Sequence, residues 1–231
     1  MTYVPLHVHS EYSLLDGLSQ TKHIANRLEE IEVDACALTD HGTVSGAVDF
    51  HKTISKGFKP ILGCEFYISE QEATLKDPTN SKLMHQVVLA KDLEGWKSLL
   101  SLVSESNKPE HFYRKPRIGL DKFLEHVSGS GKIVSFSGHL GSHLADVVSD
   151  NPNWKNDGMR EAKRLQESFG NGNFYIEIQL IDSLINKKAK EVADKLREIA
   201  TATGIPCVAT PDAHYCRRED AHDQRVLLCT S

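Results

Sequence analysis

Leu6-His7-Val8-His9-Ser10 follows the short apolar run Tyr3-Val4-Pro5-Leu6, which reads as a strand with a proline near its start. Successive side chains of a strand point to opposite faces, so His7 and His9 aim at one point. Two imidazoles converging at a strand end form half of a metal site. The plainer reading is a pair of surface histidines, and His-x-His alone does not decide between them. The rest of the chain favours the metal, because it keeps placing His, Asp or Glu just after an apolar run.

The pattern recurs downstream. Ala35-Cys36-Ala37-Leu38-Thr39 ends in Asp40-His41-Gly42 at a strand-to-helix turn. Pro60-Ile61-Leu62-Gly63-Cys64 is followed at once by Glu65, and the strand over 84–90 carries His85 near its start. The strand over 132–136 leads into Ser137-Gly138-His139, and residues 173–180 alternate as a strand should. The last strand, 206–210, precedes Pro211-Asp212-Ala213-His214. Helical spacing of apolar residues predicts helices over 21–31, 44–56, 92–106, 120–126, 140–148, 158–169, 181–203 and 219–228. Thr21 is the expected cap of the first, with Ile24, Leu28 and Ile31 on one face; Gly57 closes the second and Gly204 the long one. Residues 70–82 and 111–117 read as loops.

Strands alternating with helices predict a mostly parallel sheet with right-handed crossovers, and about seven strands suit a barrel better than an open sheet. There is no G-x-G-x-x-G and no P-loop, which weighs against dinucleotide and NTP sheets. In a β/α barrel the residues just past the C-terminal strand ends gather at one mouth. His7, His9, Asp40, His41, Glu65, His139, Asp212 and His214 all fall there. The expectation is an α/β, seven-stranded (β/α)7 TIM-like barrel forming a single domain over residues 1–231.

Composition agrees. With 231 residues and 39% hydrophobic content the chain can bury one sizeable core. A net charge of −5 argues against a pure nucleic-acid-binding module but not against an enzyme that offsets phosphate charge with metal ions. Five scattered cysteines with no C-x-x-C, no signal peptide and no apolar run of membrane length predict a cytoplasmic protein with free thiols and no membrane partner. The cysteines read as buried apolar filler. Twelve histidines is a high count for this length.

Taken in order, LHVHSEYSLLDG at 6–17, ALTDHG at 37–42, KPILGCEFYI at 59–68, His85 in LMHQVVLA, SGHLG at 137–141, FYIEIQL at 174–180 and PDAHY at 211–215 resemble the PHP (polymerase and histidinol phosphatase) family. Within it the likeness is strongest to the N-terminal domains of bacterial replicative DNA polymerase III alpha subunits, and it runs over essentially the whole chain. The resemblance implies a distorted seven-stranded barrel holding two to three divalent ions. Carried over position by position, one ion takes His7, His9, Glu65 and Asp212, a second Glu65, His85 and His139, and a third Asp16, His41 and His214. An acceptable ligand stands at all nine positions. Asp16 replaces the His of phosphatase relatives, and His139 stands where some polymerases have Cys. Glu65, His9 and Asp212 become the expected catalytic centre.

The chemistry is consistent with that. A carboxylate such as Glu65 bridges two cations while neutral imidazoles complete the shells, and mixed N/O ligation suits Zn, Mn or Fe. Such ions lower the pKa of a bound water to about 7 and clamp phosphate oxygens during in-line displacement. The expected reaction is 3′-to-5′ hydrolysis of the terminal phosphodiester of a DNA strand. The alternatives are a free-standing phosphomonoesterase of the histidinol-phosphatase kind, or a catalytically silent domain that supports the polymerase. The partners expected are DNA 3′ ends and the remainder of a polymerase alpha subunit, since such relatives continue where DQRVLLCTS stops at 231.

Other residues are weighed likewise. Arg117, in the basic loop Tyr113-Arg114-Lys115-Pro116-Arg117, is the candidate to hold the DNA backbone, against a solvated loop as the plainer reading. His143, four after His139, is a rival ligand. Asp40 would point away from the ligands and hydrogen-bond an imidazole from behind, and Glu177 lies inside the barrel or behind the ligands. His23, His51, His111, His126 and His222 read as surface residues, and Trp96 with its leucines as core.

Overall fold

The computed structural model describes residues 3–179 and 186–230. Its strands are β1 (Ala35–Leu38), β2 (Lys59–Ser69), β3 (Leu83–Ala90), β4 (Ile118–Gly119), β5 (Ile133–Phe136), β6 (Phe174–Gln179) and β7 (Cys207–Thr210). Its α-helices are α1 (Thr21–Glu30), α2 (Ala47–Ile54), α3 (Leu93–Ser106), α4 (Leu120–Val127), α5 (His143–Val148), α6 (Trp154–Phe169), α7 (Lys187–Thr203) and α8 (Ala221–Leu228). The expected end of β6 at Leu180 and the expected start of α7 at Ile181 lie outside the described residues.

The sheet is curled and mixed, in the order β1-β2-β3-β5-β6-β7, with β4 pairing β2. It corrects the expected ring of parallel β/α units. β1–β2, β5–β6 and β6–β7 are parallel, but β3 runs antiparallel to both β2 and β5. The cause is the link over 70–82, which holds only the 3-10 turn Pro78–Asn80. Without a crossover helix to carry the chain back, the next strand returns antiparallel. The reversal explains His85: it stands near the start of β3, opposite Tyr67 of β2, so the start of β3 shares the rim with the far end of β2.

The segment over 3–9 is not a regular strand. It links two strand ends: Ala37 N donates to Pro5 O and Thr39 N to Val8 O, while His9 N donates to Ala213 O and Ala213 N to His7 O. Pro5 has no N–H for a ladder. Helix ends also shift. Gln20 is the N-cap of α1, and Thr21 instead donates its hydroxyl to Asp49 of α2. Ile24 and Leu28 are buried as expected, whereas Ile31 is 37% exposed past the helix end. α2 stops at Ile54, short of Gly57, but Gly204 caps α7 in the left-handed region.

The main core lies between the sheet and α3–α7. Phe66, Phe123, Phe169 and Phe174 form a chain of ring contacts through it, and Trp96 packs partly buried against it. Cys36 and Cys64 are buried filler, but Cys207 and Cys229 are exposed and Cys216 is half-buried; all five thiols are free. His111 is buried, its Nδ1 donating to Glu105 O, which corrects its expected surface place. Arg117 is corrected too. It is fully buried, and its guanidinium donates to the carbonyls of Ala73, Leu75 and Asn80. It fastens the 70–82 loop and is not available to a DNA backbone.

Candidate metal centre

The rim of the sheet brings eight of the nine expected ligands into mutual contact. The floor is buried: His7 and His9 are 0% exposed and Glu65 is 4% exposed. His7 Nε2 lies 3.4 Å from Glu65 Oε2 and 3.3 Å from Asp212 Oδ1; His9 Nε2 lies 3.2 Å and 3.4 Å from the same two oxygens. His41 Nδ1 reaches Glu65 Oε2 at 2.9 Å and His85 Nδ1 reaches Glu65 Oε1 at 3.0 Å. Asp16 Oδ2 is 3.0 Å from His41 Nε2 and 3.6 Å from His214 Nε2. The His9 and His214 rings stack at 4.2 Å between centroids.

Three donor groups of metal-binding dimensions result: His7, His9 and Glu65; His41, Glu65 and His85; and His9, His41 and His214. They overlap the expected sets without reproducing them. His41 stands between Glu65 and Asp16, so it joins two groups. His139, on the turn after β5, is buried but stands outside all three groups. His143 turns away to Glu161 of α6 at 2.9 Å.

The residues fit cations. His7 Nε2, His9 Nε2, His41 Nδ1, Glu65 Oε2, Asp212 Oδ1 and His139 Nδ1 are all buried without a hydrogen-bond partner. A buried polar atom left in that state is costly, so the five of His7, His9, His41, Glu65 and Asp212 that meet at one rim call for an occupant. The spacing agrees: at metal–nitrogen bonds of about 2.0–2.1 Å, neighbouring tetrahedral ligands sit roughly 3.4 Å apart. The His7, His9, Glu65 and Asp212 atoms are separated by 3.2–3.4 Å.

Residues behind the ligands aim them. His7 Nδ1 donates to Glu177 Oε1 at 2.7 Å, and Thr210 donates to the same oxygen. His9 Nδ1 donates to Ser13 Oγ at 3.0 Å, and Ser13 in turn donates to Asp40 Oδ1. Each ring therefore turns its Nε2 to the centre. Asp40 acts through Ser13, not on an imidazole directly; it also accepts from Ser10 N and Ser10 Oγ. Gln179 donates to Asp212 Oδ2, and Asp212 itself holds φ at 46°. A non-glycine residue is held there only when its surroundings insist on it.

Electrostatics follow from crowding. Burial works against the Glu65 charge, but His85, His7 and His41 hold its carboxyl well below the usual range. Asp212 is held down in the same way, by His7 and His9. Burial alone lowers His41, yet Glu65 and Asp16 push it up to about 9. Glu177, Glu65 and Asp212 raise His7 likewise, while burial and the neighbouring His41 lower His9. Burial lowers His139.

Ser13 and Tyr67 were not singled out from the sequence. Tyr67 was findable, since it stands two residues after Glu65 on one strand and so shares its face. Its ring stacks on His41 at 5.4 Å and meets His85 edge-on at 5.2 Å. Ser13 carried no such signal, because its place depends on the turn over 10–17.

Known proteins resemble this chain in sequence and in fold. The chain is 35% identical over 232 residues to the DNA polymerase III subunit alpha of Treponema pallidum, covering 99% of this chain and 19% of that protein. It is also 35% identical over 237 residues to that of Thermus aquaticus, covering 99% and 18%. The chain thus spans about one fifth of the length of the curated relatives it matches. Among solved structures, an amidohydrolase from Chromobacterium violaceum shares the fold at a TM-score of 0.58 and 16% identity, covering 97% of this chain and 96% of that one. A protein from Bifidobacterium adolescentis assigned as a metal-dependent phosphoesterase does so at 0.55 and 14%, covering 99% and 96%. Endonuclease Q, solved with a duplex carrying an abasic lesion, does so at 0.53 and 16%, covering 93% and 49%. The PHP domain pattern itself matches residues 5–180, the span that carries His7, His9, Asp16, His41, Glu65, His85 and His139, and the chain belongs to the PHP domain family.

Proposed function

We propose that this chain is a metal-dependent phosphoesterase, and that its reaction is 3′-to-5′ hydrolysis of DNA ends as the PHP unit of a cytoplasmic replicative polymerase. The observation that carries the reading is the convergence of five buried, unpartnered donor atoms, from His7, His9, His41, Glu65 and Asp212. In this reading residues 1–231 form one unit whose sheet, closed by the 3–9 segment, is a distorted seven-stranded barrel, and the remainder of a DNA polymerase III alpha subunit is its partner. Two to three Zn, Mn or Fe ions occupy the centre.

His7, His9, Glu65 and Asp212 hold one such ion, and Glu65 with His41 and His85 faces a second. Divalent cations held there supply charge neutralisation at a phosphate and acidify water. The chain supplies the rest. Asp16, Glu65 and Asp212 are three carboxylates around one rim, with Glu177 behind them, and this charge repels a phosphate unless cations reverse the local sign. His85, Asp212, Asp16 and His214 keep side-chain exposures of 20–32%, so substrate approaches over them while His7 and His9 stay dry. Glu177 and the Ser13–Asp40 pair prevent the two imidazoles from turning away.

The test offers a 3′-labelled single strand, histidinol phosphate and p-nitrophenyl phosphate to the chain, with Mn²⁺ or Zn²⁺ and with a chelator control. Metal-dependent release of the labelled 3′-terminal nucleotide is expected. A frayed terminus is the better substrate, since a paired one must first unstack at a cost of a few kcal/mol. Cleavage of the monoesters alone would replace this reading with a phosphomonoesterase. No turnover with metals bound would leave a structural domain.

A further inference from the structure

Lys115 stands at the tip of a tight turn beside the centre. Tyr113 N donates to Lys115 O, and Arg114 between them holds φ at 63°. The turn is fixed by the two residues that follow it. Arg117 is anchored through three buried carbonyls. Pro116 packs onto Gly42, so closely that a Cβ on that glycine would fall 2.8 Å from Pro116 Cγ. Gly42 follows His41 directly, which ties the turn to the ligand shell. Lys115 is exposed, yet its ammonium is not loose: Nζ donates to Tyr67 Oη at 2.8 Å and lies 4.6 Å from the ring centroid. Among the described residues no carboxylate pairs with it. An ammonium held in one place by a phenol, with no anion of its own, has its attraction for an incoming anion intact.

Tyr67 sets the distance. Its ring stacks on His41 at 5.4 Å and its centroid lies 4.6 Å from Lys115 Nζ, so the ammonium stands no more than about 10 Å from the His41 ring. Lys115 is not among the ion-pair partners of Glu65 and Asp212, so it stands beside the centre and not in it. A cation in that place suits the next phosphate of an extended strand. We propose that Lys115, aimed by Tyr67, grips the phosphate adjacent to the one at the metal centre, so that the site selects a polynucleotide over a lone phosphate ester. The inference rests on the phosphodiesterase reading above and names its specificity device. It also moves the phosphate contact from Arg117, which is buried, to Lys115 two residues earlier.

The experiment uses the Mn²⁺-loaded chain and a fluorescein-labelled oligothymidylate whose 3′-terminal linkages are phosphorothioates to slow cleavage. Binding is followed by anisotropy over a salt series. Each phosphate neutralised on a single strand contributes about 0.7 to the slope of log K against log salt. Lys115→Gln should lower that slope by about 0.7 and weaken binding several-fold, Lys115→Arg should restore it, and Lys163→Gln on α6 should leave it in place. Tyr67→Phe should fall between. On a cleavable strand, Lys115→Gln should raise KM about ten-fold with kcat moving far less. An unchanged slope in Lys115→Gln with parental metal content overturns the inference while leaving the hydrolase reading intact. A lowered slope in a chain that cleaves nothing upholds Lys115 and removes the hydrolase. Absence of any strand binding by the parent overturns the inference outright, and small-ester turnover then judges the hydrolase alone.

Discussion

Glu177 Oε1 accepts from His7 Nδ1 at 2.7 Å, a pair 170 residues apart in sequence and sealed from solvent on both sides. The bond fixes which nitrogen of His7 carries the proton, and so which one faces Glu65 and Asp212. Glu177→Gln should keep the shape but weaken this hold, lowering metal affinity about ten-fold, and Glu177→Ala by nearer 100-fold. Competition against a chelator of known affinity measures it; parental affinity in both variants would show that the pair does not orient a ligand.

Glu65 touches His7, His9, His41 and His85 at once. Glu65→Gln removes the one charge that serves two donor groups. Bound metal should drop by at least one ion per chain by elemental analysis, and activity with it, while near-UV circular dichroism stays parental. A variant that retains its full metal complement and turns over substrate normally would exclude Glu65 as the bridge.

Metal and protons compete for the same imidazoles. In the metal-free chain His41 is pushed up to about 9, so it is charged at neutral pH and must lose its proton to ligate. Its attraction to Glu65 and Asp16 stabilises the metal-free fold fully below the ordinary histidine value of about 6.5, and is lost as pH rises through about 9. Metal affinity runs the other way. The gap in Tm between loaded and chelator-treated chain should therefore widen from pH 6.5 to 9, and calorimetry in buffers of different ionisation heat should show proton release. A gap that narrows over that range would contradict the assignment of His41 as a ligand.

Arg117 holds the 70–82 loop from inside. Arg117→Met should leave three buried carbonyls without their donor, costing about 3 kcal/mol. For a chain of this size that is a fall in Tm of about 6–12 °C. Thermal unfolding at fixed metal load checks it. A parental Tm combined with weaker DNA binding would return Arg117 to the substrate face.

The ligand types and their order could be read from local patterns alone. Alternation puts His7 and His9 on one face, and turns after apolar runs carry His41, Asp212 and His214, whatever the rest of the molecule does. Glu177 was also legible in outline, because a carboxylate alternating with apolar residues on a strand is buried and needs a partner.

Tertiary structure decided what depends on closure. Local pattern reads the link over 70–82 as a loop, but it does not say that the next strand pairs antiparallel with the one before it and so brings His85 to the rim opposite Tyr67. Nothing local separates Arg117 from Lys115 either. Both are cations in one short loop, and only the packing of that loop on Gly42 and the 70–82 segment turns one inward onto carbonyls and the other outward beside Tyr67. Residue type and spacing are properties of neighbours in sequence. Which side of a turn faces water is set by what packs against it, and those partners lie tens of residues away.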